Sequence, residues 1–130
     1  MTLQLWTPDD YPMLETWWQA HGWPPVPQAI LPKLGVIVSV KETPTVAGWL
    51  YMDNSVGVSM LEWIVSNPAA RSVAVAAGIK HLVSYLTAEA KRLNYGVTLT
   101  TSKVASLGKL LTRCGFQETD TGMTHYIRLN

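Results

Sequence analysis

Between Gly35 and Ser66 the chain reads as three β-rich runs in succession, "GVIVSVKE", "TVAGWLYMD" and "GVSMLEWIVS", and from Ile79 its apolar residues change period. Ile79, Leu82, Val83, Leu86, Ala90 and Leu93 recur at intervals of three and four, the spacing of a helix with one apolar face. The first two runs are separated by a turn expected at Thr43-Pro44, the second and third by "NSVG", so they read as an antiparallel meander. A long amphipathic helix after a meander has to pack on the sheet, which makes the fold mixed α/β.

The flanks extend this pattern. "LQLW" reads as a first strand, and "TPDDYPMLETWWQAHG" carries helix signals at both ends. Thr7 is placed as the N-cap, with Pro8 at the first helical position and Asp10 completing a capping box. Gly22 offers a left-handed C-cap, and Pro12 shortens or bends the first turn. "WPPVPQAILP" holds four prolines in ten residues and has room only for a helical turn around Gln28 to Leu31. After the long helix, which ends at Asn94 and Gly96, come a strand ("VTLTT") and a second helix ("KVASLGKLLTRCG") capped by Gly115. "FQET" and "MTHYIRL" then read as a closing hairpin about "DTG". The expectation is one domain over residues 1–130, with a mostly antiparallel sheet of about six to seven strands and helices on both faces.

At 130 residues, 48% hydrophobic and 15% charged, the chain has the composition of a globular domain with its own core. A net charge of +1 argues against a broad nucleic-acid footprint. There is no basic-then-apolar leader and no run of apolar residues long enough to span a bilayer. A single cysteine, Cys114, fits a reducing compartment, so a cytoplasmic location without a membrane partner is expected. His21, His81, His125 and Cys114 show no metal-ligand spacing.

"SNPAARSVAVA", Ser66 to Ala76, joins the last meander strand to the long helix. A helix N-terminus there would present free N–H groups and the positive end of a dipole to an anion. Asn67 as N-cap with Pro68 at the first helical position would instead make an ordinary helix start. In "MLEWIV", Glu62 is a carboxylate within an apolar strand, which is costly unless it has a role or a partner. Simple alternation puts Glu62 on the face of Ile64 and Ser66, opposite Trp63 and Val65.

The element order and these motifs resemble the GNAT superfamily of acyl-CoA-dependent N-acyltransferases, over nearly the whole chain. That family carries V-x-P-x-x-[RQ]-x-x-G-x-[GA] after its fourth strand. Here Pro68 and Arg71 match, while Ser66, Ala74 and Ala76 stand at the valine and glycine positions. Gly115 and Phe116 match the family's terminal GF, with Val104 and Leu111 where asparagine and tyrosine are usual. "GWPPVP", "LEWIVSNP" and "GMTHYIRL" look like small GNAT-like proteins of bacteriophages and prophages.

The resemblance implies a sheet splayed between strands 4 and 5, and direct acetyl transfer from acetyl-CoA to a primary amine. It implies pyrophosphate binding by Arg71, Ser72, Val73, Ala74, Val75 and Ala76, and pantetheine binding along Ile64, Val65 and Ser66. Glu62 is then the candidate base, with a structural carboxylate bonded to a neighbouring Trp, Tyr or backbone group as the competing reading. The Val65 N–H is the candidate oxyanion donor. Tyr126, or Tyr85 or water, would serve in place of the absent tyrosine. Trp18, His21, Trp23 and His125 would line the acceptor groove. The acceptor is left open among small molecule, protein and amino-modified base, and the state between monomer and homodimer. A catalytically silent module that binds a host or viral protein is the rival reading.

Overall fold

The structure, a computed structural model, describes all residues from 1 to 130. Its single sheet runs β1 (Thr2–Leu5), β2 (Gly35–Val40), β3 (Thr43–Met52), β4 (Val58–Ser66) and β5 (Val97–Thr100) in sequence order. The first three pairings are antiparallel and β4–β5 is parallel, the consequence of the helical crossover α2 (Ser72–Arg92). The remaining helices are α1 (Tyr11–Ala20) and α3 (Ala105–Arg113).

Helix ends follow local chemistry. Thr7 N–H donates to Asp10 Oδ2 at 2.8 Å, and a 3-10 turn over Pro8–Asp10 leads into α1. Pro12 falls in the first turn of α1, where the missing N–H breaks no helical bond. All three helices end on a left-handed residue, Gly22, Asn94 and Gly115, at φ of 77°, 68° and 97°. In each case the next residue's N–H reaches back to the last turn: Trp23 to Trp18, Tyr95 to Ala90 and Phe116 to Leu111.

Two cores form, one on each sheet face. Val36, Val38, Val46, Leu50 and Leu61 pack against Ile79, Leu82, Val83, Leu86 and Ala90 of α2, joined by Leu111 of α3. On the other face Ile37, Ala47, Trp49 and Val65 meet Leu14, Trp17 and Trp18 of α1, together with Trp6. Trp49 is fully buried there, edge-on to Trp6 at 5.7 Å and stacked on Trp18 at 5.6 Å.

Two sequence expectations are corrected, and the competing Asn67–Pro68 helix start is excluded. The sheet has five strands rather than six or seven, because "FQET" and "MTHYIRL" do not pair. Gly122 does turn the chain with φ 71°, but Tyr126, Ile127 and Leu129 stay exposed. Two strands not docked on a sheet bury too little to hold together. The β2–β3 turn is Lys41-Glu42, both at positive φ, and Pro44 lies inside β3. Thr45 is the extra residue of a bulge there, its hydroxyl accepting from Val40 N–H and donating to the Thr43 carbonyl, so the proline removes no ladder bond. Finally, α2 starts at Ser72, not at Pro68. Asn67 closes a separate turn instead, its Oδ1 accepting from Ala69 N–H and its Nδ2 donating to the Pro44 carbonyl.

Glycine tests this packing. A Cβ on Gly35 would overlap the Trp49 indole, whereas one on Gly108 in α3 meets nothing within 4 Å. Gly35→Ala is expected to lose about 1–3 kcal/mol by overpacking. Gly108→Ala should be neutral or gain up to about 1 kcal/mol. Urea unfolding of the two variants checks both; equal midpoints would disprove the Trp49 constraint.

Candidate functional site

The site originates in one extra residue. Trp49 faces Glu62 and Ala47 faces Val65, so Trp63 and Ile64 together oppose Gly48. This β-bulge is made by Trp63 at φ 62°, a conformation rare for a bulky side chain. A bulge shifts the alternation beyond it. Glu62 and Val65 therefore share the α1 face, and Ile64 packs toward the α2 core, which corrects the simple alternation.

The strand then runs free on its other edge. The β4–β5 pairing ends at Leu61 with Thr100, whose hydroxyl donates to the Leu61 carbonyl at 2.7 Å, while β4 continues to Ser66. Asn67 N–H bonds the Thr45 carbonyl at 2.8 Å. By the two-residue period, Val65 N–H also turns toward β3, so the donors facing the opening are those of Ile64 and Ser66. Val65 is thus not placed to offer an oxyanion donor to the cleft. Ser66 is tied to the end of α1, its carbonyl oxygen 3.0 Å from His21 Nε2 and its hydroxyl 3.2 Å from the same atom.

Glu62 lies on the wall of a groove of about 310 Å³, with Ile30, Tyr51, Met60, Trp63 and His125. It is half-buried and makes no hydrogen bond or ion pair, although Trp63 and Tyr51 are adjacent. Those two rings satisfy each other: Trp63 Nε1 donates to Tyr51 Oη at 2.9 Å, and Tyr51 Oη donates to the Ile30 carbonyl. Burial raises the Glu62 carboxyl above its ordinary range, and nearby His125 offsets part of that rise. Burial likewise raises Tyr51, partly opposed by the Trp63 hydrogen bond, with Glu62 adding to the rise, so the phenol stays neutral.

At the C-terminal end of β4, Arg71 occupies the N-cap of α2 in extended conformation. Val75 N–H is the first to bond within this turn, to the Arg71 carbonyl at 3.0 Å. The N–H groups of Ser72, Val73 and Ala74 find no acceptor, whereas Val75 and Ala76 lie past the free donors. Arg71 is exposed and unpaired. Gly78, the one glycine in this segment, serves packing, since a Cβ there would come within 3.0 Å of Val46.

The other candidates are dispersed. Trp18 is in the core and does not reach the groove, and Tyr126 is 93% exposed away from it. His21 stacks on Trp23 at 4.7 Å beside Ser66, one end of β4 away from Glu62. Tyr85 packs against the α2 core, and Leu111 is buried in that same core. Tyr51, Trp63, Ile30 and Met60 escaped the sequence reading. Alternation from Trp49 along β3 could have found Tyr51, but nothing in the sequence announces a tryptophan at positive φ. No group of His, Cys, Asp and Glu is arranged to hold a metal ion.

The Glu62 carboxyl titrates higher in the folded chain than its ordinary 4.5. The folded state then holds more protons than the unfolded state between those two values. Its contribution to stability is therefore lost as pH rises through that window and level above it. Glu62→Gln should gain on the wild type in urea midpoint as pH rises above the ordinary carboxyl value, and parallel curves would show that burial does not perturb Glu62.

No protein-family model and no curated protein matches the chain in sequence. Its fold, by contrast, recurs among solved acetyltransferases. A ribosomal-protein alanine N-acetyltransferase from Escherichia coli superposes with a TM-score of 0.72 at 15% identity, over 92% of this chain and 79% of that one. An acetyltransferase from Trypanosoma brucei gives 0.66 at 15%, over 97% and 99%. Glucosamine-6-phosphate N-acetyltransferase from Arabidopsis thaliana gives 0.65 at 10%, over 98% of each. At these identities the likeness is one of fold, and this chain shares the fold of these acetyltransferases.

Proposed function

We propose that this protein transfers an acetyl group from acetyl-CoA to a primary amine by direct attack. The observation that carries the reading is Glu62: a half-buried, unpartnered carboxylate at the point where β4 leaves β5. An unpaired carboxylate in an apolar groove costs stability, and a perturbed carboxylate accessible from a groove is what a general base requires.

The residues supply each need of aminolysis. Ser72, Val73 and Ala74 offer three free N–H donors at the positive end of a helix, and Arg71 adds a cation, which suits the cosubstrate's pyrophosphate. The open edge from Ile64 to Ser66 suits an extended amide-bearing arm. As the amine nitrogen bonds to the thioester carbon, Glu62 takes its proton, directly or through one water. The Ile64 N–H is the backbone donor for the oxygen that becomes negative. When the carbon–sulfur bond breaks, the thiolate takes its proton from water, since Leu111 cannot donate one.

Leu111 in the core also favours a second reading, a binding module of this fold that uses no cosubstrate. Calorimetry with acetyl-CoA separates the two, and a dissociation constant below about 1 mM is expected. No binding there sinks the transferase. Val73→Asp, on an exposed position in the first turn, should keep or raise stability by about 0.3–1 kcal/mol while weakening acetyl-CoA at least about tenfold. Glu62→Gln should leave that affinity alone and lower kcat by about 100-fold or more; an unchanged kcat would remove Glu62 as base.

A further inference from the structure

The Glu62 groove is chemically one-sided. Trp63 and Tyr51 spend their polar edges on each other and on the Ile30 carbonyl, so they face the groove as apolar rings. Ile30 and Met60 add aliphatic surface. The polar groups left free are the Glu62 carboxylate and the His125 imidazole, and no lysine or arginine lines the groove. A phosphate or carboxylate on the acceptor would meet Glu62 with no fixed cation to balance it. An amine enters as a cation, attracted by the carboxylate and by the faces of Trp63 and Tyr51. The groove is open to solvent, and its volume of about 310 Å³ gives room for one ring and a short chain.

Resting on the transferase reading, we propose that the acceptor is a small monoamine on a flat apolar body, an arylalkylamine in chemical class, and not an anionic amino sugar or amino acid. Glu62 orients the amine and Trp63 sets the specificity by covering the body.

Phenethylamine, phenylalanine, 2-phenylethanol and ethylamine dissect the claim. Phenylalanine adds only a carboxylate to phenethylamine, 2-phenylethanol removes the charge, and ethylamine removes the ring. Direct binding to the full chain is measured by calorimetry without acetyl-CoA, and acetyl transfer is measured in parallel. Phenethylamine should bind at least about tenfold tighter than each of the other three, since phenylalanine brings an unpaired carboxylate, 2-phenylethanol lacks the cation that meets Glu62 and the rings, and ethylamine lacks the apolar area of the phenyl group. Glu62→Gln should abolish the preference over 2-phenylethanol. Trp63→Gly, which keeps the left-handed backbone without strain, should abolish the preference over ethylamine. The melting temperature of each variant verifies that it is folded.

Equal binding of phenethylamine and phenylalanine overturns the proposal, as does faster transfer to glucosamine 6-phosphate or to a peptide N-terminus. Those last outcomes leave the transferase reading standing. If acetyl-CoA fails to bind while phenethylamine binds with the expected preferences, the transferase reading falls and the groove's specificity for arylalkylamines holds.

Discussion

The register step at Trp63 and Ile64 governs the geometry of everything around it. An antiparallel ladder without it would place Glu62 and Ile64 on the same face. With two residues opposing Gly48, Glu62 keeps the face of Trp49 while Val65 returns to that face to seal the α1 core. The bulge lies just past Leu61, where the parallel pairing stops because β5 ends at Thr100 while β4 runs on to Ser66. Gly48 permits this crowding, since a Cβ there would come within 3.0 Å of Leu82 and 3.3 Å of Ile64. Strain at Trp63 and a carboxylate on the groove wall are thus one structural event, set beside the strand edge that the shorter β5 leaves open.

The tryptophans explain why the bulge can be held. Trp49 sits directly opposite Glu62, clamped between Trp6 and Trp18, and its Nε1 is buried without a hydrogen-bond partner. Leaving an indole N–H unpaired costs free energy, which the large apolar area of the three rings offsets. Gly35 makes space for that ring, and Trp6 Nε1 donates to the Pro32 carbonyl at 2.8 Å to fix the neighbouring loop. The proline-rich segment therefore has a defined course. It brings Ile30 to the Tyr51 hydroxyl and to the rim of the groove.

What the sequence made legible is what local chemistry decides. Gly22, Asn94 and Gly115 end their helices because the left-handed position can be read from residue type, and the switch of period at α2 reports a buried face directly. The meander, the crossover and the free N-terminus of α2 follow from those elements. Features that depend on long-range register were not legible. The bulge at Trp63 requires knowing what opposes it, and a tryptophan is among the least expected residues at positive φ. The β2–β3 turn was misplaced for a related reason: Pro44 looks like a turn residue, but the Thr45 bulge lets it remain in a strand. The C-terminal residues alternate like a strand, but alternation supplies no partner, and the sheet ends at β5.

A net charge of +1 conceals how the charges are arranged along β4. At one end stands Glu62, in a groove lined by the His125 imidazole and by no lysine or arginine. Past the other end stand Arg71 and three unbonded N–H groups at the positive pole of α2. Four residues of strand, about 13 Å, separate Glu62 from Ser66. That exceeds the screening length of about 8 Å at physiological salt, so the two poles act on different ligand groups without cancelling. An anion at one end and an amine at the other are each met by the opposite sign, and the edge between them offers backbone hydrogen bonds. The absence of glycine from the turn before α2 is compatible with this arrangement. Arg71 enters the helix in ordinary extended conformation, so the free donors need no left-handed residue to expose them.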